Sequence, residues 1–187
     1  LDRAARKRGN SSSFPGRVVP MLPDVLSGDL CSLHADVDRA CMAVRMRLDA
    51  EGNKIDQRFT RGLMRSKASL SYEQVQAAID GTPDDVTAPL LEPVIKPLYA
   101  AYAALKKARA VRQPLELDLP ERKIILSEEG KVLSVAFKER FDAHKLIEEA
   151  MLAANVCSAD FILQAQHPGL FRVHEGPTPE KKEILKT

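Results

Sequence analysis

The chain has 187 residues, of which 44% are hydrophobic and 29% charged, and these ordinary globular proportions exclude a disordered or collagen-like chain. The formal net charge of +2 is too close to neutral to indicate a nucleic-acid partner by itself. No apolar run approaches the roughly 18 residues of a transmembrane helix, so we expect no membrane partner. The three cysteines lack any Cys-x-x-Cys spacing, which argues against a disulfide framework or a thiolate zinc site and favours a reducing cytoplasm.

The N-terminal part of the chain combines a charged start with a proline-rich stretch. Residues 1–8 predict a short basic helix that ends at Gly9, and the composition of residues 10–13 predicts a loop. Three prolines then predict an extended, irregular segment: Pro15, Pro20 and Pro23. Residues 25–33 predict a short helical turn.

In the next segment apolar and polar residues alternate with a period of two, which indicates half-buried strands. Apolar and polar residues alternate towards the end of residues 38–48, and the composition of residues 49–54 predicts a turn. Residues 55–66 predict the returning strand of this first hairpin.

The next segment carries a helix-start signal. Ser71 and Gln74 match a capping box, in which each side chain bonds the backbone N–H of the other residue. We expect a helix from there to about Asp80, with Val75 and Ile79 facing inward.

A second helical region contains three prolines that cannot all lie inside one straight helix: Pro89, Pro93 and Pro97. The sequence therefore predicts short turns first and a regular helix that opens near Pro97. The predicted apolar stripe of this helix consists of Leu98, Ala101, Tyr102 and Leu105.

The C-terminal part predicts a second hairpin at residues 124–137 and then the longest helix, at residues 142–166. The apolar arc of that helix is so wide that we expect it to be largely buried. Residues 170–173 predict a short strand, and Thr178 caps a last helix. The predicted fold class is therefore α+β, with antiparallel hairpins packed against a long buried helix.

Two segments are locally basic on this near-neutral chain. Residues 1–23 carry five cationic side chains against one acid, and residues 94–113 carry five cationic side chains and no acid. Such segments fit contact with a polyanion, although charge alone favours a solvated surface. A structural interaction module that uses the basic helix at residues 106–112 is a further alternative.

Established catalytic motifs are missing from the sequence. It contains no Gly-rich phosphate loop, no Gly-x-Ser-x-Gly elbow and no His-Glu-x-x-His motif. The four histidines lie far apart without metal-ligand spacing, so structural or exposed roles are favoured over catalytic ones.

Two residues stand out chemically. Glu148 and Glu149 interrupt the most apolar helix, and adjacent helical positions point about 100° apart, so one carboxylate should be buried and should meet a cation or a hydroxyl donor. The buried carboxylate could find such a partner in two ways. It could form an ion pair with a nearby arginine, or it could belong to a binding site. Tyr72, which follows a predicted helix cap, fits either the core or a groove.

Six blocks, in order along the chain, resemble the catalytic domain of the ribonuclease II and ribonuclease R family, also called the RNB domain. They are residues 17–23 (RVVPMLP), 30–33 (LCSL), 38–39 (DR), 65–72 (RSKASLSY), 142–151 (DAHKLIEEAM) and 172–181 (RVHEGPTPEK). The blocks span nearly the whole chain and look most like the bacterial ribonuclease R branch.

The resemblance implies a processive, hydrolytic 3′→5′ exoribonuclease that depends on Mg²⁺ and releases nucleoside 5′-monophosphates from RNA. In that family the metal-binding aspartates precede the Pro-Met-Leu-Pro block, and the catalytic arginine follows the His-Glu-x-Pro block. We therefore expect residues 1–187 to be an internal segment of the catalytic domain, with no catalytic residue and no metal ligand of its own. The segment alone should be inactive, and the parent protein should be a cytoplasmic monomer.

The same resemblance assigns two RNA-binding residues and leaves two positions different from the family pattern. Tyr72 and Glu148 match the tyrosine and the glutamate that contact the ribose near the RNA 3′ end, where 2′-OH contacts distinguish RNA from DNA. On this interpretation Glu148 is also the buried glutamate. Ser13 and Leu117 stand where relatives carry base-stacking aromatics, and Phe14 is the aromatic that would replace them. A non-catalytic RNA-binding relative is therefore the alternative function.

Overall fold

Hairpins and helices alternate along the chain in the computed structural model, which describes residues 1–114, 119 and 121–186. The strands are β1 (Ser12–Phe14), β2 (Arg17–Val19), β3 (Asp38–Leu48), β4 (Lys54–Arg65), β5 (Arg122–Leu126) and β6 (Val132–Phe137). The helices are α1 (Asp2–Arg8), α2 (Tyr72–Ile79), α3 (Ala88–Leu90), α4 (Lys96–Val111), α5 (Asp142–Gln164) and α6 (Pro179–Lys186), and π-helical turns occupy Val25–Leu30 and Leu91–Ile95. The predicted α+β class with antiparallel hairpins is confirmed.

The N-terminal part contains a hairpin that the sequence interpretation missed. Helix α1 ends at Gly9 as predicted, with a φ of 75°. The following segment is not irregular throughout, because β1 and β2 pair antiparallel around a turn at Pro15 and Gly16, with Ser13 opposite Val18. Each strand has three residues, which is too short for an alternating pattern to be visible in the sequence.

The central hairpin β3–β4 packs one face against the C-terminal half of α5. On that face Val44 lies opposite Phe59 and Met46 lies opposite Gln57. The ring of Phe59 lies 5.0 Å from that of Phe161, and the Gln57 side-chain amide donates to the Cys157 carbonyl at 3.0 Å. The predicted hairpin is confirmed, and its contacts fix its orientation on the helix.

Helices α2, α4 and α5 meet in the main core. The buried apolar side chains are Ala78, Ile95, Tyr102, Ala143, Leu146 and Cys157. The side-chain oxygen of Gln76 on α2 accepts from the Tyr99 hydroxyl on α4 and from the Ala143 N–H on α5, both at 3.2 Å. This amide therefore links the three helices at the N-terminal end of α5.

Burial differs from the sequence prediction on two helices. On α4 the predicted stripe is partly wrong, since Leu98 and Ala101 are exposed while Ile95 and Tyr102 are buried. Tyr102 is the buried member of the predicted stripe, and Ile95 belongs to the π-helical turn that precedes α4. On α5 the buried arc is narrower than predicted. The exposed part of the helix carries four apolar side chains, those of Ile147, Met151, Leu152 and Val156.

The predicted strand at residues 170–173 is wrong. Leu170 and Val173 are highly exposed, and among the described residues no strand pairs with this segment. An isolated β-propensity pattern without a partner edge forms no strand. The last helix, α6, begins at Pro179 next to Thr178 as expected. Within the described ranges, no helix has the length and apolar character needed to cross a bilayer.

The carboxylate of Asp84 fixes the loop that joins α2 to α3. It accepts from the backbone N–H and the hydroxyl of buried Thr87, both at 2.7 Å, and from the Gln74 side chain at 2.9 Å. These hydrogen bonds, with those from Thr87 the strongest, lower the pKa of Asp84 from the ordinary 3.8 to about 2.

This depressed pKa predicts an acid-dependent loss of stability. A folded-state pKa below the unfolded-state value means that the carboxylate stabilises the fold above about pH 4, and that this contribution is lost as the pH falls towards 2. Asp84→Asn should therefore lower the thermal unfolding midpoint at pH 6 and leave it nearly unchanged at pH 2. An equal decrease at both pH values would contradict the assignment, and Asp24→Asn serves as the control.

Candidate functional site

Tyr72 lies at the first position of α2, where a capping box fixes the backbone. The Ser71 hydroxyl accepts from the Gln74 N–H at 3.2 Å, and the Gln74 side chain accepts from the Ser71 N–H at 3.0 Å. The predicted capping box is thereby confirmed. Tyr72 is 40% exposed, so its phenol is accessible at the surface rather than enclosed in the core.

The ring of Tyr72 stacks on the imidazole of His144, which belongs to the first turn of α5. The ring centroids lie 4.0 Å apart with an interplanar angle of 20°. His144 Nδ1 accepts from the Phe141 backbone N–H at 3.2 Å, and the Phe141 ring lies 5.6 Å from the imidazole. The imidazole therefore caps α5 and at the same time provides the surface on which Tyr72 rests.

Glu148 lies four residues after His144, and therefore on the same face of α5, one turn along. Its side chain is 43% exposed, and its carboxylate pairs with the guanidinium of Arg140. Tyr72 therefore contacts His144 from α2, and Glu148 follows His144 by one turn of α5. A phenol and a carboxylate are suitable partners for a hydroxyl-bearing ligand, because the phenol donates and accepts while the carboxylate accepts.

The site also contains a second carboxylate, that of Glu73. Hydrogen bonds from its own backbone N–H and from the Ser71 hydroxyl lower the pKa of Glu73 below the ordinary 4.5. Glu73 therefore stays ionised next to Tyr72 at neutral pH, which makes this end of α2 anionic.

The buried glutamate is Glu149, not Glu148, so the interpretation that ribose binding explains the buried carboxylate is wrong. The Glu149 side chain is 5% exposed and accepts from Arg109 at 2.6 Å and from Arg112 at 3.2 Å. Of the two explanations that the sequence allowed for a buried glutamate, the ion pair with arginine applies, and Glu149 forms it. The physical reason is the rotation of α5, which points position 149 at α4 and position 148 at the surface.

The remaining predicted site residues lie elsewhere or outside the described residues. Ser13 is exposed on β1, and the Phe14 ring is 54% exposed, with the Arg17 guanidinium 5.9 Å from its centroid. Among the described residues, no hydrogen bond, ion pair or ring contact joins Ser13 or Phe14 to the site around His144. Leu117 lies outside the described residues.

The residues present do not fit a magnesium site. Within residues 1–114, 119 and 121–186, no group of three or more His, Cys, Asp or Glu side chains converges closely enough to hold a metal ion. Mg²⁺ requires several oxygen ligands in near-octahedral geometry. We therefore derive no chemical step through a metal ion from this part of the chain.

The sequence did not predict the partners of the two predicted ribose-contacting residues. His144 is the partner of Tyr72, and Arg140 is the partner of Glu148. The spacing of His144 and Glu148 was a readable signal, because residues four apart share a helix face. The stacking of His144 on Tyr72 spans two helices and has no signature in the sequence.

The RNB domain family matches residues 1–187. The chain belongs to the RNB family. Ribonuclease R of Escherichia coli is 41% identical over 182 residues, which cover 96% of this chain and 22% of that protein. Exoribonuclease 2 of Shigella dysenteriae is 35% identical over 189 residues, which cover 99% of this chain and 29% of that protein. This RNB chain therefore spans between about a fifth and a third of the length of these relatives.

Solved RNB structures share the same fold. The RNase R of Mycoplasma genitalium in complex with double-stranded RNA matches with a TM-score of 0.92 and 25% identity, over 99% of this chain and 33% of that chain. The same enzyme in complex with ribose-methylated single-stranded RNA matches with a TM-score of 0.91 and 25% identity, over 98% of this chain and 29% of that chain. The α+β arrangement of hairpins and helices described above is thus the arrangement of this family.

Proposed function

We propose that this chain forms part of the RNA channel and of the ribose-recognition site of a processive, hydrolytic 3′→5′ exoribonuclease that releases nucleoside 5′-monophosphates. The observation that carries the proposal is that Tyr72 stacks on His144 while Glu148 lies one turn further along α5, both partly exposed, in a chain that matches the RNB family along its whole length. The RNA-bound RNase R structures with the same fold support RNA as the ligand.

Recognition of ribose follows from the hydrogen-bonding capacity of the two side chains. A 2′-OH both donates and accepts, so it can donate to the Glu148 carboxylate and accept from the Tyr72 phenol. Deoxyribose leaves both protein groups without that partner. Because Arg140 already pairs with Glu148, the carboxylate is oriented before RNA binds.

The rest of the proposal concerns the parent protein. We propose that residues 1–187 are an internal segment of its catalytic domain and that Mg²⁺ is held by residues outside the described part. Free Cys31, Cys41 and Cys157 support a cytoplasmic protein. We further propose that it is a monomer, which light scattering on the full-length protein tests directly.

Two substitutions in the full-length protein test the ribose assignment. Tyr72→Phe and Glu148→Ala should each reduce the ratio of kcat/KM for RNA to that for the same strand with a 3′-terminal deoxyribose by roughly tenfold, since a hydrogen bond to a charged or polar group contributes about 1–2 kcal/mol. The loss should fall on the ribose substrate and leave the deoxyribose substrate nearly unchanged.

Tyr99→Phe is the matched control, because it also removes one phenolic hydroxyl but at the helix junction, where that hydroxyl bonds Gln76. The control should retain the wild-type ratio. Unchanged ratios in both Tyr72→Phe and Glu148→Ala would refute ribose recognition by this pair.

A non-catalytic RNA-binding relative is the alternative that Ser13 favours, because this exposed residue supplies no ring for base stacking. The same full-length protein distinguishes the two functions. Steady release of mononucleotides from single-stranded RNA in the presence of Mg²⁺ excludes the alternative, whereas RNA binding without release supports it.

A further inference from the structure

Hairpin β3–β4 is strongly basic, and its cationic side chains fall into two groups. The two strands carry seven arginines and lysines against two aspartates. Three of these cations are paired near the ends of the strands, as Arg39–Asp29, Lys54–Asp160 and Arg65–Asp38. The other four make no ion pair among the described residues and are exposed: Arg45, Arg47, Arg58 and Arg61.

Three of the unpaired arginines share one face of the hairpin. Arg45 lies directly opposite Arg58 in the antiparallel register, and Arg47 follows two positions along on the same face. Like charges directly opposite each other destabilise a sheet, so this pair is a cost to folding. Asp56 lies opposite Arg47, but its carboxylate accepts from the Gln57 backbone N–H at 2.8 Å and, among the described residues, forms no ion pair with an arginine.

This arginine face (Arg45, Arg47 and Arg58) is open along its length. The next positions on the same face carry small side chains, with Ala43 opposite Thr60, followed by Gly62. No heavy atom lies within 4 Å of the position that a Cβ at Gly62 would take. The other face of the hairpin packs against α5, so the arginine face points away from α5.

We propose that the arginine face binds the phosphate backbone of the RNA strand, as a second contact surface distinct from the ribose site. That the bound polyanion is RNA depends on the proposed function. That this surface binds an anion is inferred from the arginines, which form no ion pair among the described residues. Guanidinium groups bind phosphate in bidentate geometry, and a bound phosphate neutralises the repulsion between Arg45 and Arg58. The hairpin contacts α5 near Cys157, about 20 Å along the helix from His144, so the phosphates belong to nucleotides upstream of the 3′ end.

The salt dependence of RNA binding tests this surface in the full-length protein. Binding of a fluorescein-labelled single-stranded RNA is followed by anisotropy in EDTA, over a series of KCl concentrations. Each lost phosphate contact should reduce the slope of log K against log salt by about 0.7. We expect this reduction for Arg45→Gln and for Arg58→Gln, and about twice this reduction for the double variant.

Arg61→Gln is the matched control, because it removes the same charge from the same hairpin on the opposite face. Its slope should equal that of the wild type. Equal slopes for the wild type and the double variant, or an equal reduction in Arg61→Gln, would overturn the proposal. The double variant should unfold at the wild-type temperature or above it, because the repulsion is relieved, so a loss of binding is not a loss of fold.

The outcome is separable from that of the proposed function. Mononucleotide release with Mg²⁺ and the RNA-to-DNA ratio report the enzyme and the ribose site, whereas the salt slope in EDTA reports the arginine face. A protein that releases no mononucleotides but shows the arginine-dependent slope retains this surface without the exonuclease. A protein that degrades RNA with an unchanged slope in the double variant retains the exonuclease without this surface.

Discussion

Arg109→Met should lower the free energy of unfolding by about 3 kcal/mol, because it leaves the Glu149 carboxylate buried with one partner. The Glu149 side chain is 5% exposed, and Arg109, at 2.6 Å, is 25% exposed. The second partner, Arg112, is 58% exposed and lies 3.2 Å away, so it compensates the charge less well. Urea unfolding followed by circular dichroism measures the loss.

Two further variants distinguish this effect from a simple loss of charge. Lys106→Met removes a cation from an exposed position of the same helix and should change the stability by less than about 0.5 kcal/mol. Glu149→Gln should cost less than Arg109→Met, about 1–2 kcal/mol, because the partly exposed arginines remain hydrated and the amide oxygen still accepts. A cost of Arg109→Met equal to that of Lys106→Met would contradict the role of the buried carboxylate.

The ion pair of Glu149 with α4 has a consequence for the candidate site. Because it holds α5 at one rotation against α4, the imidazole of His144 faces Tyr72 and the neighbouring position 148 faces the surface. Arg109→Met should therefore also weaken ribose discrimination, although Arg109 belongs to the α4–α5 contact rather than to the site.

Local patterns in the sequence predicted the longer elements well, although they missed hairpin β1–β2 and wrongly predicted a strand at residues 170–173. The alternation that ends in Val44, Met46 and Leu48 identified β3, and the capping box at Ser71 identified the start of α2, because both signals arise within a few residues. The RNB resemblance predicted the family and selected Tyr72 and Glu148, whose roles remain predictions.

Burial and partnership were harder to predict, because they depend on residues far apart in the chain. Which of two adjacent glutamates is buried depends on the rotation of α5 against α4, where Arg109 lies 40 residues before Glu149. The stacking of Tyr72 on His144, and the lack of an ion pair at Arg45 and Arg58 within the described part of the chain, likewise depend on the tertiary arrangement. A helical wheel gives the angle between side chains but not the direction in which the helix faces.

The turn between β3 and β4 docks directly on the backbone of α4, and Gly52 is the point of contact. Its φ is +83°, and a Cβ there would lie 2.1 Å from the Ala104 carbonyl oxygen. The Lys107 ammonium donates to the Ala50 carbonyl at 3.1 Å, which fixes the same turn to the same helix. The turn is therefore held where only a glycine fits.

Gly52→Ala should lower the free energy of unfolding by about 3 kcal/mol or more, the sum of a left-handed backbone cost of about 1–2 kcal/mol and the displacement of the turn from α4. Gly130→Ala isolates the first term, because Gly130 has a φ of +78° and no heavy atom within 4 Å of its Cβ position. Gly130→Ala should therefore cost about 1 kcal/mol, and the difference between the two variants measures the contact with the Ala104 carbonyl. Equal costs would mean that the turn moves off α4 without loss, in which case this contact does not determine the position of hairpin β3–β4 and its arginine face.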